Sequence, residues 1–546
     1  MPVHTVVLHH HHHYYSDAFA LIALFTLAAL MIYSALSNPY GRISRVRNPF
    51  ETEKRGRTIA LHKRFDLEVK KSRFWRLFAF AKCGWHIVSN VFAGEKAKSV
   101  TVQGVIRDIH RVRFDPKKPY LISGDHFNVF YPRNLGTFYY ATLDPRTALG
   151  KTDWQNRQRI YLQTTAYALA AFQGNGDCTT TIVPVGPHAV ACINIYRYPS
   201  DALYGILFAL AALRDNSFFG KRYPFETENG FGVETKEAAD ALVEEYRQVI
   251  VDLIWKYYDQ VYDPVRGLIR ADIHISSAKD ITERSSAFYD NVIFWKTFKL
   301  ADILGLDGLP EVDLGALKSR ILETYWYEGE GYFLEDRSAD GIAGRYYSAD
   351  WLAAYFTGFL DVSKPEERRY LERAASYTME KGIDMPFPLR YQAEDRAERQ
   401  VAIVRFAVAS YGGTAIWSFW GAEFIKLLTA LYEYTGQEAY LDRAGRHIAS
   451  YENNMIRCRG YPEVYETGGD MLRTPFYNSV RQTGWVVGFE QAVAMYRSAL
   501  KNKNATMLSG VFGDATGVAR GVVGAFKRFF DTKEGESAPD ALEEGA

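Results

Sequence analysis

The chain has 546 residues, and its 65 Lys plus Arg against 64 Asp plus Glu leave a formal charge of +1. That balance supplies no basic field for coating nucleic acid, and 47% hydrophobic with 24% charged residues excludes wholesale disorder. Four scattered cysteines (Cys83, Cys178, Cys192 and Cys458) without a CxxC pair exclude a disulfide framework and a cysteine zinc site. Aromatic content is the outlier: 37 Tyr, 34 Phe and 10 Trp make 15% of the chain. Rings on this scale fill cores and line pockets that stack on ligands.

In chain order, a short tail (1–17) precedes residues 18–36, AFALIALFTLAALMIYSAL, which carry no charge and match the length of a bilayer-crossing helix. Arg42, Arg45, Arg47, Lys54, Arg55 and Arg57 follow it and no Lys or Arg precedes it. The charge bias predicts a single-pass membrane protein whose C-terminal bulk is cytoplasmic, an extracellular placement staying open. Residues 37–100 are basic and aromatic, as in KKSRFWRLFAFAKCGWHIV, and read either as a juxtamembrane segment near anionic lipid or as a solvated linker with one helix.

From 101 to 502 helical periodicity is strong and strands are few. Helix pairs are predicted at 155–173 with 200–215, 236–258 with 286–304, 314–326 with 348–360, 367–381 with 414–434, and 438–454 with 478–500. Thr435-Gly436 ends one helix just before the next begins, which forces antiparallel neighbours. Two loops are alike, Arg197-Tyr198-Pro199-Ser200-Asp201 and Arg345-Tyr346-Tyr347-Ser348-Ala349-Asp350-Trp351, each with a Ser placed to cap the next helix. Repeated loops ahead of repeated helices predict a mainly α toroid of hairpins whose loops converge at one end. Residues 503–546 turn Gly-rich and then acidic, a tail with a disordered end and an amphipathic stretch at 518–530.

No phosphate loop, HExxH, GxSxG or Cys–His arrangement is present, so nucleotide, zincin and serine-hydrolase chemistry drop out. Carboxylates in aromatic loops remain. Glycosidic bond cleavage needs one acid to protonate the leaving oxygen and a second carboxylate to activate water or attack the anomeric carbon. Three segments qualify. Tyr131-Pro132-Arg133-Asn134 opens a helix after two aromatics and offers a grip on vicinal hydroxyls, or a structural Arg paired with Asp125 or Asp144. Lys279-Asp280-Ile281-Thr282-Glu283-Arg284 precedes a helix, and reads either as an acid or as a capping box. Pro462-Glu463-Val464-Tyr465-Glu466-Thr467-Gly468 holds Glu463 behind a stiff Pro between tyrosines.

The order of these motifs resembles that of the six-hairpin (α/α)6 glycosidases, the glucoamylases, trehalases and amylo-1,6-glucosidases. The likeness spans about 120–500. Tyr131-Pro132-Arg133-Asn134 is similar to the family's aromatic-x-Arg-Asp sugar-binding motif, with Asn134 where Asp is usual. Tyr325-Trp326-Tyr327-Glu328-Gly329-Glu330-Gly331-Tyr332-Phe333 matches another phrase of these barrels. The resemblance implies Asp280 (or Glu283) as general acid, Glu463 as the base of an inverting reaction, and no metal or organic cofactor. Tyr131, Arg133, Asn134, Tyr289, Trp351, Trp417, Trp420, Arg481 and Trp485 are the pocket candidates for a carbohydrate. Two alternatives stay open: a sugar epimerase or polysaccharide lyase using His126 or His274, and a non-catalytic glycan-binding or assembly scaffold.

Overall fold

The computed structural model describes residues 65–513 apart from 95, 115–119, 123, 125–128, 148–150, 187, 216–232 and 280. Helices dominate. α1 (Arg73–Ala93) and α2 (Val102–Arg113) lead to two 3-10 turns, Pro132–Leu135 and Tyr140–Leu143. Then come α3 (Lys151–Asn175), α4 (Asp201–Arg214), α5 (Val233–Val261), α6 (Phe288–Ile303), α7 (Leu314–Tyr325), the short α8 (Ala339–Ala343) and α9 (Ala353–Phe356), and α10 (Pro365–Glu380). α11 (Ala402–Val408), α12 (Ser418–Thr435), α13 (Glu438–Cys458) and α14 (Val486–Gly513) complete the series.

Burial sorts these helices into two layers. α4 is buried from Asp201 to Leu213 and α12 from Ser418 to Leu431, as helices apolar all round must be. α10 and α13 bury one stripe each, Leu371, Ala374, Ala375 and Thr378 in the first and Tyr440, Leu441, Ala444, His447, Ile448 and Tyr451 in the second. Hairpin follows hairpin six times: α2 with 132–143, α3 with α4, α5 with α6, α7 with 349–356, α10 with α12, and α13 with the start of α14. Inner members touch in turn. α4 packs on Pro132–Leu135 and on α6, α6 packs on α9, and Ala349–Leu352 packs on α12. Trp485, just ahead of α14, meets Phe138 at 4.9 Å, and α13 packs on α2. The fold is a six-hairpin helical ring. As expected from Thr435-Gly436, Gly436 takes φ +70° as the left-handed cap of α12, and α13 starts at Glu438.

Polar contacts fasten the seam between first and last hairpins. Arg157 Nη2 lies 2.8 Å from His110 Nδ1. Arginine only donates, so that nitrogen accepts, and His110 Nε2–H donates to Glu490 Oε2 at 2.7 Å. Gln491 Nε2 donates to Asp144 Oδ2 at 2.8 Å. The chain divides into two compact units, 1–493 and 494–546; in the second, the described residues 494–513 are helical.

Short strands punctuate the loops. β2 (Thr181–Pro184) and β3 (Ala189–Ile193) form an antiparallel hairpin, and β1 (Glu68–Val69) adds in parallel to β3. α1 packs against β3, with Ala79 in one cluster with Val183, Ala191 and Ile193, and Lys82 Nζ donates to the Pro184 carbonyl at 2.6 Å. The part of 37–100 that is described is thus docked structure, not a free linker.

Several expectations need correction or fall outside the described residues. The membrane helix at 18–36 and the stretch at 518–530 lie outside the described residues. Among the described residues no helix is long and apolar enough to cross a membrane, which overturns the single-pass location with a cytoplasmic (or extracellular) C-terminal domain. The long helices carry charge: α1 holds Arg73, Arg76 and Lys82, and α5 has acids and bases along its length. Finally, Ser200 and Ser348 precede helical turns without capping them by side-chain hydrogen bond; Ser200 Oγ donates to Asp290 Oδ1 at 2.7 Å instead. The expected cap ahead of α6 is likewise absent, the N-cap being Ala287.

One close approach sets the place of Arg133. A Cβ at Gly205 of α4 would lie 2.2 Å from the Pro132 carbonyl oxygen and 3.1 Å from Arg133 Cα. Gly205→Ala is therefore expected to cost about 1–3 kcal/mol through overpacking, read as a lower denaturant midpoint with unchanged m-value.

Candidate active site

Glu463 is placed by backbone pairing. β4 (Ile416–Trp417) and β5 (Val464–Tyr465) form an antiparallel ladder, Trp417 opposite Val464. Ser418, the first residue of α12, donates its N–H to the Glu463 carbonyl at 3.0 Å, and Glu463 N–H reaches Val480 O at 2.8 Å. The residue is therefore tied to the head of an inner helix and to the 477–485 loop together. Its side chain is 9% exposed. Tyr411 donates to Oε1 and Tyr477 to Oε2, each at 3.3 Å. Burial, and next the Glu463 carboxylate itself, push both tyrosine hydroxyls well above their usual range, so both stay protonated and keep donating.

An aromatic wall stands beside this carboxylate. Tyr411 meets Trp417 at 4.8 Å and Tyr477 at 5.3 Å between ring centroids. Trp417 stacks on Trp485 at 5.7 Å and 25°, and donates its Nε1–H to Tyr411 O. Tyr391 packs against Trp417 at 4.9 Å and against Trp420 at 5.9 Å. Tyr131 and Arg133 reach this wall from the first hairpin: the Tyr131 hydroxyl acts on Tyr411, and the Arg133 charge acts on Tyr391. Arg133 lies over the Tyr131 ring at 5.3 Å and donates to the Ser277 carbonyl; Asp125, one of its expected partners, lies outside the described residues.

The remaining predicted residues sit deeper. Asn134 is buried. Tyr289 is fully enclosed, its hydroxyl donating to Asp201 Oδ2 at 3.1 Å and paired with Thr137 at 3.2 Å. Trp351 is buried with Nε1–H on the Tyr347 hydroxyl at 3.0 Å. Arg481 is buried, its Nε 3.3 Å from Met471 Sδ. His274 Nδ1 lies 3.0 Å from the Arg284 carbonyl, so that nitrogen carries the proton; His126 lies outside the described residues.

Asp280 also lies outside the described residues, but the backbone on both sides of it is pinned. Lys279 Nζ pairs with Glu335 Oε1 where neither side chain is exposed. Arg284 Nη1 meets Asp350 Oδ2 at 2.6 Å and its Nη2 meets Ser277 Oγ at 2.9 Å. Ser285 N–H donates to Asp336 Oδ2, Glu283 N–H to Arg399 O, and Val401 N–H to Ile281 O. Glu335 is the hub: Arg399 Nη1 and Gln392 Nε2 each reach its Oε2 at 2.9 Å. Burial alone would raise the Glu335 pKa, but Lys279, Arg399 and Arg284 outweigh it and hold it at about 2. Asp350 moves the other way, raised by burial that Arg284 only partly offsets. Glu283, the second acid candidate, is exposed.

Sequence reading missed Tyr391, Tyr411, Tyr477 and Glu335 as members of this region. Tyr411-Gly412-Gly413 stands just ahead of Trp417, and Glu335 lies two residues past the Tyr332-Phe333 phrase, so position relative to recognised motifs was the available signal. No group of three His, Cys, Asp or Glu side chains able to hold a metal occurs among the described residues.

No family model and no curated protein matches the sequence. Solved structures do. The chain is similar to Hormoconis resinae glucoamylase (12% identity, 72% of this chain and 73% of that one, TM-score 0.48). It is similar to neutral trehalase from Saccharomyces cerevisiae (13%, 70% and 75%, TM-score 0.41) and to cellobiose 2-epimerase from Spirochaeta thermophila (13%, 72% and 97%, TM-score 0.41). These neighbours are members of the six-hairpin superfamily that the motifs resemble.

Two predictions follow from the geometry. Glu335→Gln leaves Lys279 buried without its paired carboxylate, while Arg399 keeps Asp336, and is expected to cost about 3–5 kcal/mol by denaturant unfolding. Since the native Glu335 pKa is depressed, its contribution is complete above the ordinary value of 4.5 and fades as pH falls toward 2; the gap between variant and wild type should close over that window. Conversely, the Tyr391 hydroxyl is buried without a hydrogen-bond partner among the described residues. Tyr391→Phe should therefore raise the unfolding free energy of the ligand-free protein by about 1 kcal/mol, seen as a higher Tm.

Proposed function

We propose that this chain is a glycoside hydrolase that cleaves by single displacement, with Glu463 as the base. The observation that carries the reading is the placement of Glu463: a nearly enclosed carboxylate, both oxygens met by tyrosine hydroxyls, beside the stacked pair Trp417 and Trp485. The two hydroxyls fix the plane of the carboxylate, which orients it for taking a proton from a water. The indole faces offer the apolar surface that a sugar ring presents in return.

In the proposed reaction Asp280 donates its proton to the leaving glycosidic oxygen as the bond to the anomeric carbon breaks. Glu463 takes a proton from the water that attacks the opposite face, so configuration inverts and the enzyme regains its starting protonation after proton exchange with solvent. The pinning of Lys279 and Arg284 supports this assignment, since a proton donor on a wandering loop loses the orientation on which acid catalysis depends. Arg133, Asn134 and Tyr131 are proposed to hold the sugar at the cleaved bond, and Arg481 and Trp351 to support the loops behind it. The carbohydrate is the proposed substrate class, and no cofactor enters the mechanism.

The test is Glu463→Gln, assayed against a panel of α- and β-linked oligosaccharides with product anomers read by NMR. Turnover should fall by about 10²–10⁴-fold while substrate binding persists, and the wild-type product should carry the inverted anomer. Near-wild-type turnover in the variant would remove Glu463 from the chemistry. Turnover that instead dies with His274→Ala would move the chain to the epimerase or lyase reading.

A further inference from the structure

One stretch of chain contacts both the loop assigned the acid and the carboxylate assigned as base. Residues 399–412 contain α11 and run from beside Ile281–Glu283 to the tyrosine that holds Glu463. At the first end, Thr282 and Gln400 form an antiparallel bridge. It is flanked by Glu283 N–H on the Arg399 carbonyl at 2.8 Å and Val401 N–H on the Ile281 carbonyl at 2.9 Å. Arg399 Nη2 also donates to the Glu283 carbonyl at 3.0 Å and pairs with Asp336, which fixes this end to the buried charge cluster. At the far end Tyr411 donates to Glu463 Oε1 at 3.3 Å. Thr474 Oγ1 accepts from Tyr477 N–H at 3.0 Å and donates to the Ala407 carbonyl at 2.8 Å, so the second tyrosine on Glu463 is tied to the same stretch. The two ends are also joined directly. Gln400 Nε2 donates to the Ala409 carbonyl, bypassing α11. Gly412, next to Tyr411, comes so close to the acid loop that a Cβ there would lie 3.0 Å from Thr282 Oγ1 and 3.1 Å from Ile281 Cδ1.

The ion pairs of Lys279 and Arg284 hold the two ends of the acid loop. Between them, Ile281 and Glu283 are held by backbone bonds to 399–401. Single displacement makes a demand on such parts. Acid and base must keep a separation that admits the sugar and one water, about 6.5–9.5 Å between carboxyl groups, and an error of about 1 Å costs on the order of 10²-fold in rate. Loops from different hairpins drift independently unless something spans them. We propose that 399–412 is that spacer, and that Val401 and Gly412 are positioning residues that set the acid loop against Glu463 without touching substrate. The inference rests on the hydrolase reading for its kinetic consequence, whereas the hold of 399–412 on the acid loop is measurable without it.

Val401→Pro tests the spacer at a single bond. Val401 has φ −55° and ψ 138°, which proline adopts, and Gln400 before it is extended by its bridge to Thr282. The Val401 carbonyl still receives the N–H groups of Val404 and Arg405, so the substitution removes the bond to Ile281 and leaves the start of α11 intact. Gly412→Ala acts on the same loop by the opposite means, pressing on Ile281 and Thr282. Both variants are made in the full chain and checked by thermal melt. They are assayed on an oligosaccharide that the wild type cleaves and on the glycosyl fluoride of the same sugar, whose leaving group departs without being protonated. Each variant should lose about tenfold or more in kcat/KM on the oligosaccharide and stay within about twofold on the fluoride. Tyr411→Phe, which acts on the base that both substrates need, should slow both. Amide hydrogen exchange is the second readout: the Glu283 N–H should exchange faster in Val401→Pro than in the wild type. Equal losses on the two substrates, or full activity on both, overturn the proposal, as does unchanged exchange at Glu283. If the wild type hydrolyses no glycoside, the hydrolase reading fails by itself, and exchange at Glu283 still decides whether 399–412 holds the loop.

Discussion

The loop between α5 and α6 depends on a charge pairing that water cannot reach. Glu335 lies at the centre, with Lys279 on one oxygen and Arg399 and Gln392 on the other. Isolated ions are costly to bury, and such groups survive inside a protein only when each has its counterpart and its remaining hydrogen bonds. Here the cost of separating them becomes a positional constraint. Lys279, Arg284 and Ser285 are three points on one loop, and their partners come from the next hairpin, Glu335 and Asp336 from its connection and Asp350 from the start of its second arm. A loop held this way has no low-energy alternative position.

The Glu463 segment is built on another principle. Glu463 is located by a two-residue ladder against Trp417 and by hydrogen bonds to the backbone of Ser418 and Val480, and then oriented by neutral hydroxyls. Paired ions set the frame around Lys279 and Arg284, whereas directional neutral bonds set it around the Glu463 backbone. Glu335, among cations, is held ionised by its partners, whereas the hydroxyls of Tyr411 and Tyr477 orient Glu463 without bringing a charge of their own.

The helices were legible because their signals are local. Periodicity located the hairpins from 155 onward, and Thr435-Gly436 marked one turn to the residue, since left-handed backbone after a helix selects glycine. The late motif drew attention to Glu463 for a sound reason, stiff backbone among aromatics, and Trp417 and Trp485 did come together beside it. What was hidden depends on three-dimensional proximity. Tyr411 and Tyr477 are 66 positions apart and meet on one carboxylate only after the ring closes. Serines ahead of helices were misread as caps because local statistics cannot register Asp290, ninety positions away, as the better partner of Ser200. Charge flanking an apolar stretch spoke for a membrane location, yet the described helices offer no span.

The seam of the ring bears on how such a chain reaches its native state. Asn90 donates to the Asn478 carbonyl across 388 positions, and His110 meets Glu490 across 380. Contacts so remote in sequence return nothing until almost the whole chain has been ordered. The entropy of bringing the ends together, although it grows only logarithmically with length, is therefore spent before it is recovered. Most hairpins are neighbours in sequence and can assemble quickly, but the last docking event is a high-contact-order step. A nascent chain released before residue 490 would present an open arc with an unsealed apolar edge, an arrangement whose natural remedy is a chaperone or a second, unwanted chain.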